Sequence, residues 1–211
     1  MIRVLIADDH AILRRGLRQI IAETSDLAVV GEAGNSAETL KFVREQNCDV
    51  VLLDISMPDR NGIETLKLIR KERPKLSVLM LSMHPENQYA VRALRSGASG
   101  YLNKQSAPMM LVNAIREVAR GRKFLTPQVA EELAENLVRG EEEQPDHHAL
   151  SNREFQTMCM IASGKTPSEI AEQLSLSVKT ISVYRARILE KLGLRSNAEI
   201  THYAIKNSLV E

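Results

Sequence analysis

The chain is poor in cysteine, has no excess of either charge and contains no long apolar run. Its two cysteines, Cys48 and Cys159, lie far apart, and neither stands in a metal-type pair. That excludes a paired-cysteine metal motif and marks both as reduced, partly buried thiols of a cytosolic protein. The formal net charge is only +1, so no global field favours nucleic acid or membrane. No apolar stretch approaches the ~20 residues that a membrane span needs. The N-terminal apolar run is too short for a secretory signal and is cut off by Asp8-Asp9, which places the chain in the cytoplasm as an expectation.

What is present is unevenly distributed. The 211 residues suit one large domain or two small ones, and 44% hydrophobic with 26% charged residues is ordinary for a globular chain. Residues 1–120 carry 17 basic and 14 acidic side chains, residues 121–148 carry 3 and 7, and residues 149–211 carry 8 and 6. The near-neutral total therefore conceals an acidic connector between two mildly basic segments, and leaves room for a basic face.

Short Val-, Ile- and Leu-rich runs alternate with amphipathic segments through the first 120 residues. The runs predict strands at 2–7, 27–32, 49–53, 76–81 and 99–102, apolar on both faces as in a buried parallel sheet. Helices are predicted at 12–24, 37–46, 63–72, 87–96 and 107–120, with Ser36 and Ser106 as N-caps and Gly97 and Gly121 as stops. Five such units define a doubly wound five-stranded parallel sheet, of flavodoxin-like order 2-1-3-4-5. In that order the ligand crevice lies at the carboxyl ends of strands 1 and 3. Asp8 and Asp9 follow strand 1, Asp54 follows strand 3, Ser82 follows strand 4 and Lys104 follows strand 5.

The chemistry of these residue types is specific when they converge. A carboxylate can attack phosphorus to form an acyl phosphate. Adjacent acids can hold a divalent cation with oxygen ligands, a lysine can neutralise phosphoryl oxygens, and a hydroxyl can donate a hydrogen bond. A lone acid after a strand is more often a turn residue, and Asp59 is read that way; five such positions at successive strand ends are not. His10 is read as structural or surface-exposed, and the methionines as core fillers.

Residues 121–148 read as a linker containing one helix, 127–138, before a charged Pro/Gly-punctuated stretch at 139–148. From Leu150 onward the pattern is all-helical. Ser151–Glu154, Thr166–Glu169 and Ser196–Glu199 have capping-box spacing, Pro167 fits a first helical position, and Ser177 and Gly193 bracket a further helix. Four short helices result, two of them joined by Ser175-Leu176-Ser177 in a helix-turn-helix layout. In the second of these, Ile181, Tyr184, Ile188 and Leu192 share a core face. Lys179, Ser182, Val183 and Ala186 share the other, with Arg185 and Arg187 beside it.

Asp8-Asp9-His10, Leu53-Asp54-Ile55-Ser56-Met57-Pro58, Leu81-Ser82 and Gly100-Tyr101-Leu102-Asn103-Lys104 together resemble a response-regulator receiver domain over residues 1–120. The resemblance implies Asp54 as phosphoacceptor and Asp8, Asp9, Asp54 and the Ser56 carbonyl as ligands of Mg²⁺ or Mn²⁺. It also implies Ser82, Tyr101 and Lys104 as the phosphoryl contact and switch, and Pro58 and Gly62 as the following loop. Leu150–Glu154, Ile161–Thr166, Glu169-Ile170-Ala171, Lys179-Thr180-Ile181 and Leu189–Leu192 resemble a NarL/LuxR-type DNA-binding domain over residues 149–211. That resemblance places Lys179, Thr180, Ser182, Val183, Arg185, Ala186 and Arg187 at DNA. Ser182 and Ala186 stand where the family often has a basic residue, and Tyr184 where His is frequent.

The whole chain is thus similar to two-component response regulators of the NarL/FixJ type. The resemblance implies a sensor histidine kinase, promoter DNA, a second copy of the chain and RNA polymerase as partners. Two other readings are an aspartyl-phosphate phosphatase, disfavoured by adjacent acids and the lack of a cap domain, and a DNA-binding regulator indifferent to phosphate.

Overall fold

The computed structural model describes residues 1–57, 60–83, 86–105, 107–138, 146–207 and 209–210. The expected residues Pro58, Asp59 and Ser106, and the stretch 139–145, lie outside the described residues. The chain divides into two compact units, Met1–Glu132 and Leu133–Glu211.

In the first unit β1 (Ile2–Ala7), β2 (Leu27–Ala33), β3 (Val50–Asp54), β4 (Ser77–Ser82) and β5 (Gly100–Asn103) pair in parallel, in the order β2-β1-β3-β4-β5. Val4, Ile6, Val50, Leu52, Leu79, Leu81 and Leu102 form one buried face with residues of α1 (Ala11–Ala22) and α5 (Ala107–Ala119). Leu5, Val51, Leu53, Val78 and Met80, alternate in the strands, are equally buried on the other. There α2 (Ser36–Glu45), α3 (Gly62–Glu72) and α4 (Glu86–Arg95) lie against β2, β3 and β5 respectively. Each fully buried Leu or Val stabilises the fold by roughly 1.5–3 kcal/mol relative to exposure, so burial of both faces explains why these strands read as unbroken apolar runs.

Four strands end one residue later than predicted: β2 at Ala33, β3 at Asp54, β4 at Ser82 and β5 at Asn103. Asp54 pairs with Leu81, and Ser82 pairs with Asn103, inside the ladder. A polar side chain does not stop a ladder made by backbone amides, so the apolar run ends before the strand does. At α2 the cap is Asn35, whose side chain accepts from the Glu38 amide, and Ser36 is the first helical residue. Asn and Ser are comparable caps, and the extended backbone that a cap needs sits at Asn35. Gly97 and Gly121 end their helices with φ of +102° and +78°.

The chain after α5 stays with the sheet. Phe124 is buried and bridges Gly100, and α6 (Pro127–Val138) begins with Val129 fully buried. These residues fall within the predicted connector but pack into the first unit, because aromatic and branched side chains there find apolar cover.

The second unit contains α7 (Asn152–Ala162), α8 (Pro167–Gln173), α9 (Val178–Leu192) and α10 (Asn197–Lys206). A 3₁₀ turn, Asp146–Ala149, precedes them. Its His147 is buried, with Nδ1 3.1 Å from the Tyr203 hydroxyl on α10, so the polar stretch before Leu150 is partly built into this unit. Complete capping boxes close α7 at Ser151/Glu154 and α8 at Thr166/Glu169, and Pro167 occupies the first turn. The third expected box is only half made. Ser196 accepts from the Glu199 amide, but the Glu199 carboxylate takes the Arg195 N–H instead. Gly193 ends α9 at φ +63°, a conformation costly for residues with a Cβ.

Candidate functional site

Strand register assembles the first site. Ala7 pairs with Leu53, which sets Asp8 level with Asp54 at the carboxyl ends of β1 and β3. The Lys104 amide donates to the Ser82 carbonyl at 2.8 Å, and the Asn103 side chain accepts from the Gln105 amide, fixing the turn beyond β5. Lys104 Nζ then reaches across the strand ends, 2.7 Å from Asp8 Oδ2 and 2.9 Å from Asp54 Oδ2. Asp8, Asp54, Ser82, Tyr101 and Lys104 are all buried, whereas Asp9 is exposed and Ser56 half-buried.

The pocket is electrostatically strained. Asp8 Oδ2 and both carboxylate oxygens of Asp54 are buried without a well-formed hydrogen bond. The Lys104 ammonium, ion-paired to both acids, is the cation that compensates them. Burial pushes the Asp54 carboxyl above its ordinary value. The Lys104 ammonium opposes that rise, the Asp8 carboxylate adds to it, and the Ser56 backbone lowers it.

Three residues missed as contributors brace this pocket. His10 is exposed, as expected, yet its Nδ1 lies 2.7 Å from Asp9 Oδ1 and 3.2 Å from Asp8 Oδ1. Arg14 Nη1 donates to the Asp8 carbonyl at 2.6 Å while its Nε pairs with Glu32. Asn61 caps α3 by accepting from the Ile63 amide. Beside it Gly62 passes so close to β3 that a Cβ would stand 2.0 Å from the Asp54 carbonyl oxygen. An Asn-Gly pair before a helical pattern was a readable cap signal; the folding back of His10 and Arg14 had no signal in spacing.

In the second unit the structure separates the seven residues placed at DNA. Lys179, Ser182, Val183, Ala186 and Arg187 are exposed on α9. Ile181, Ile188 and Leu192 are buried on its opposite face, and Tyr184 is half-buried. The Thr180 hydroxyl lies 2.8 Å from that of the cap residue Ser177, and Arg185 Nε donates to Asn197 Oδ1 at 2.6 Å. Those two are therefore partly engaged within the unit. Among the described residues no helix is long and apolar enough to cross a membrane.

A flavodoxin-like sheet with an acid–lysine pocket at its carboxyl edge, followed by a helix-turn-helix unit, has the layout of a receiver joined to a DNA-binding module. Residues 4–116 match the response regulator receiver domain, and residues 148–204 match the luxR family of bacterial regulatory proteins. The chain belongs to the two-component response regulators with a LuxR-type helix-turn-helix domain, a family of regulators rather than enzymes, so the phosphatase reading is set aside.

The response regulator UvrY of Escherichia coli K12 is 38% identical over 209 residues, spanning 99% of this chain and 96% of UvrY. The response regulator GacA of Pseudomonas aeruginosa is 35% identical over 211 residues, spanning 100% and 99%. Among solved structures, RcsB from Salmonella enterica serovar Typhimurium, bound to promoter rprA in the presence of phosphomimetic BeF₃⁻, aligns with a TM-score of 0.64. That alignment is 27% identical and covers 96% of this chain and 97% of RcsB.

Proposed function

We propose that this response regulator takes a phosphoryl group on Asp54 from a sensor histidine kinase and answers by binding promoter DNA through α9. The observation that carries the reading is the convergence of Asp54, Asp8 and Lys104 in one buried pocket. Residues 1–120 serve as the receiver, 149–211 as the DNA-binding domain and 121–148 as the linker between them, anchored on the first unit by Phe124 and on the second by His147.

The donor set fits a hard divalent cation. Asp8, Asp9 and Asp54 offer carboxylate oxygens within 4.8 Å of one another, and buried oxygens there are short of hydrogen bonds. Asp8, Asp9, Asp54 and the Ser56 carbonyl would hold Mg²⁺ or Mn²⁺. When bound, the ion supplies charge that offsets repulsion between the attacking carboxylate and the phosphoryl oxygens.

An Asp54 oxygen attacks phosphorus, the P–N bond to the kinase histidine breaks, and the electron pair returns to that nitrogen. Lys104 neutralises a phosphoryl oxygen, exchanging its contact with Asp8 and Asp54 for one with the dianion. Ser82 donates its hydroxyl to the phosphoryl group, and Tyr101 repacks behind it. That biases a two-state receiver toward a form that pairs with a second copy. Pairing doubles the phosphate contacts of a module that carries only 8 basic against 6 acidic residues. On DNA, Lys179 and Arg187 reach phosphates or base edges while Ser182, Val183 and Ala186 enter the major groove; Thr180 and Arg185 contact the backbone. RNA polymerase, in the cytoplasm, is the further partner.

The test is intact-mass measurement after treatment with a small phosphodonor and Mg²⁺. Wild type gains one phosphoryl group and Asp54→Asn gains none; equal labelling of both would refute the assignment. For α9, Lys179→Ala and Val183→Glu are each expected to weaken binding to the chain's own promoter. Unchanged affinity and salt slope in both would refute it and favour another DNA-reading surface.

A further inference from the structure

The pocket's carboxylates face two different neighbours. Lys104 lies on Asp8 Oδ2 and Asp54 Oδ2. The Oδ1 atoms of Asp8 and Asp9 face the His10 imidazole, with Nδ1 at 3.2 and 2.7 Å. The His10 position is set by the backbone. Its N–H donates to Asp8 Oδ1 at 2.8 Å, and it occupies the cap position of α1 without capping that helix through its side chain. The ring is therefore released from the usual duty of a cap residue and folds back over the acids.

We infer that His10 Nδ1 is a nitrogen ligand of the cation site, and that it makes the site favour first-row transition cations such as Mn²⁺ over Mg²⁺. This rests on the cation site proposed above. Ligand atoms of Asp8, Asp9, His10 and Asp54 all lie within 4.8 Å of one another. Two ligands on opposite sides of an ion held at about 2.1 Å stand about 4.2 Å apart, so the cluster needs only a small closure to surround one ion. Asp54 Oδ1 is buried without a well-formed hydrogen bond, and an Asp54 carboxylate oxygen belongs to the same cluster. Three carboxylates alone form an all-oxygen site, which suits Mg²⁺ and Mn²⁺ alike. An imidazole nitrogen adds little for Mg²⁺, which keeps oxygen ligands and water, and more for Mn²⁺ and the cations above it in the Irving–Williams order. The side chain is 65% exposed, so ligation requires no disruption of the core.

The experiment uses the full unphosphorylated chain with Mn²⁺ and Mg²⁺ as probes. Pulsed electron paramagnetic resonance of bound Mn²⁺ reads direct ¹⁴N coupling, and calorimetry reads affinity. Wild type is expected to show ¹⁴N coupling that vanishes in both His10→Ala and His10→Gln. Mn²⁺ affinity should fall about tenfold in each, while Mg²⁺ affinity changes by less than about threefold. The Gln variant keeps a polar contact to the acids, so a histidine that only hydrogen-bonds Asp8 and Asp9 would be rescued by it and a ligand would not. Site-bound Mn²⁺ without ¹⁴N coupling, coupling that persists in His10→Ala, or equal losses for both ions would overturn the inference. Asp9→Asn separates the two levels: if it leaves Mn²⁺ binding unchanged, or wild type binds no Mn²⁺, the cation site itself is wrong.

Discussion

Replacing Lys104 by Met removes the cation that stands between two buried acids. Its Nζ is 2.7 Å from Asp8 and 2.9 Å from Asp54, and its side chain is only 4% exposed. Loss of one partner from a buried ion pair costs about 3–5 kcal/mol, because the remaining charge is left uncompensated. For the Met1–Glu132 unit that corresponds to a fall in Tm of about 10–20 °C. The penalty must depend on pH. Asp54 is already raised above its ordinary value by burial, and Lys104 is the group holding it down, so the variant raises it further. A raised carboxyl contributes stability below its unfolded value and loses it as pH rises through the folded one. The cost is therefore full at pH 8 and shrinks on acidification toward the ordinary carboxylate range, where Asp54 takes up a proton. Urea unfolding followed by circular dichroism, in chelator at pH 8 and pH 4.5, measures it. Adding Asp8→Asn should recover part of the loss at pH 8 by removing one of the two repelling charges. A cost below about 1 kcal/mol, or one that is the same at both pH values, would refute the account of a charge-compensated pocket.

Three further outcomes test the packing around the sites. Gly62→Ala places a Cβ 2.0 Å from the Asp54 carbonyl oxygen; it is expected to destabilise by about 1–3 kcal/mol or more and to slow Asp54 labelling, both checked against wild type. Burial pushes the Cys48 thiol up to about 11, so at pH 8 only about 0.1% is thiolate; in a Cys159→Ser background, native protein should react with a thiol reagent far more slowly than urea-unfolded protein, and similar rates would contradict the burial. Ile188→Ala, on the buried face of α9, should cost about 2–5 kcal/mol, whereas Val183→Ala, on the open face at 43% exposure, should stay within about 0.5 kcal/mol; similar values would mean the helix faces are misassigned.

The central strands β3 and β4 were legible because both faces are buried, which leaves an uninterrupted apolar run; the edge strand β2, with Val30 and Glu32 exposed, carries a weaker signal. Their ends were less so: Asp54 and Ser82 continue the ladder through backbone atoms that side-chain polarity does not report. Caps followed the same logic. Ser177 could be read from the residue alone, but Asn35 and Ser36 are both good caps, and only backbone conformation separates them. Glu199 has the spacing of a box partner, yet its carboxylate finds the Arg195 amide instead. In the site, Asp8, Asp54 and Lys104 could be placed together because sheet order and strand ends determine where they lie. The His10 and Arg14 contacts arise from how a loop turns back on itself, and no periodicity encodes that.

Strand β1 is the first strand in the chain and yet lies in the interior of the sheet, between β2 and β3. Its pairing with β3 joins residues 46 apart, as in Ala7 with Leu53, so its second edge stays open until the chain through β3 has been made. Closing that span costs chain entropy before any contact rewards it, which slows folding relative to a unit built from short consecutive helices. Asp8 and Asp54 meet only when this non-local pairing is complete. On the proposed function, cation binding and phosphoryl acceptance would both wait on that pairing, and a chain arrested before β3 docks would have no site to expose.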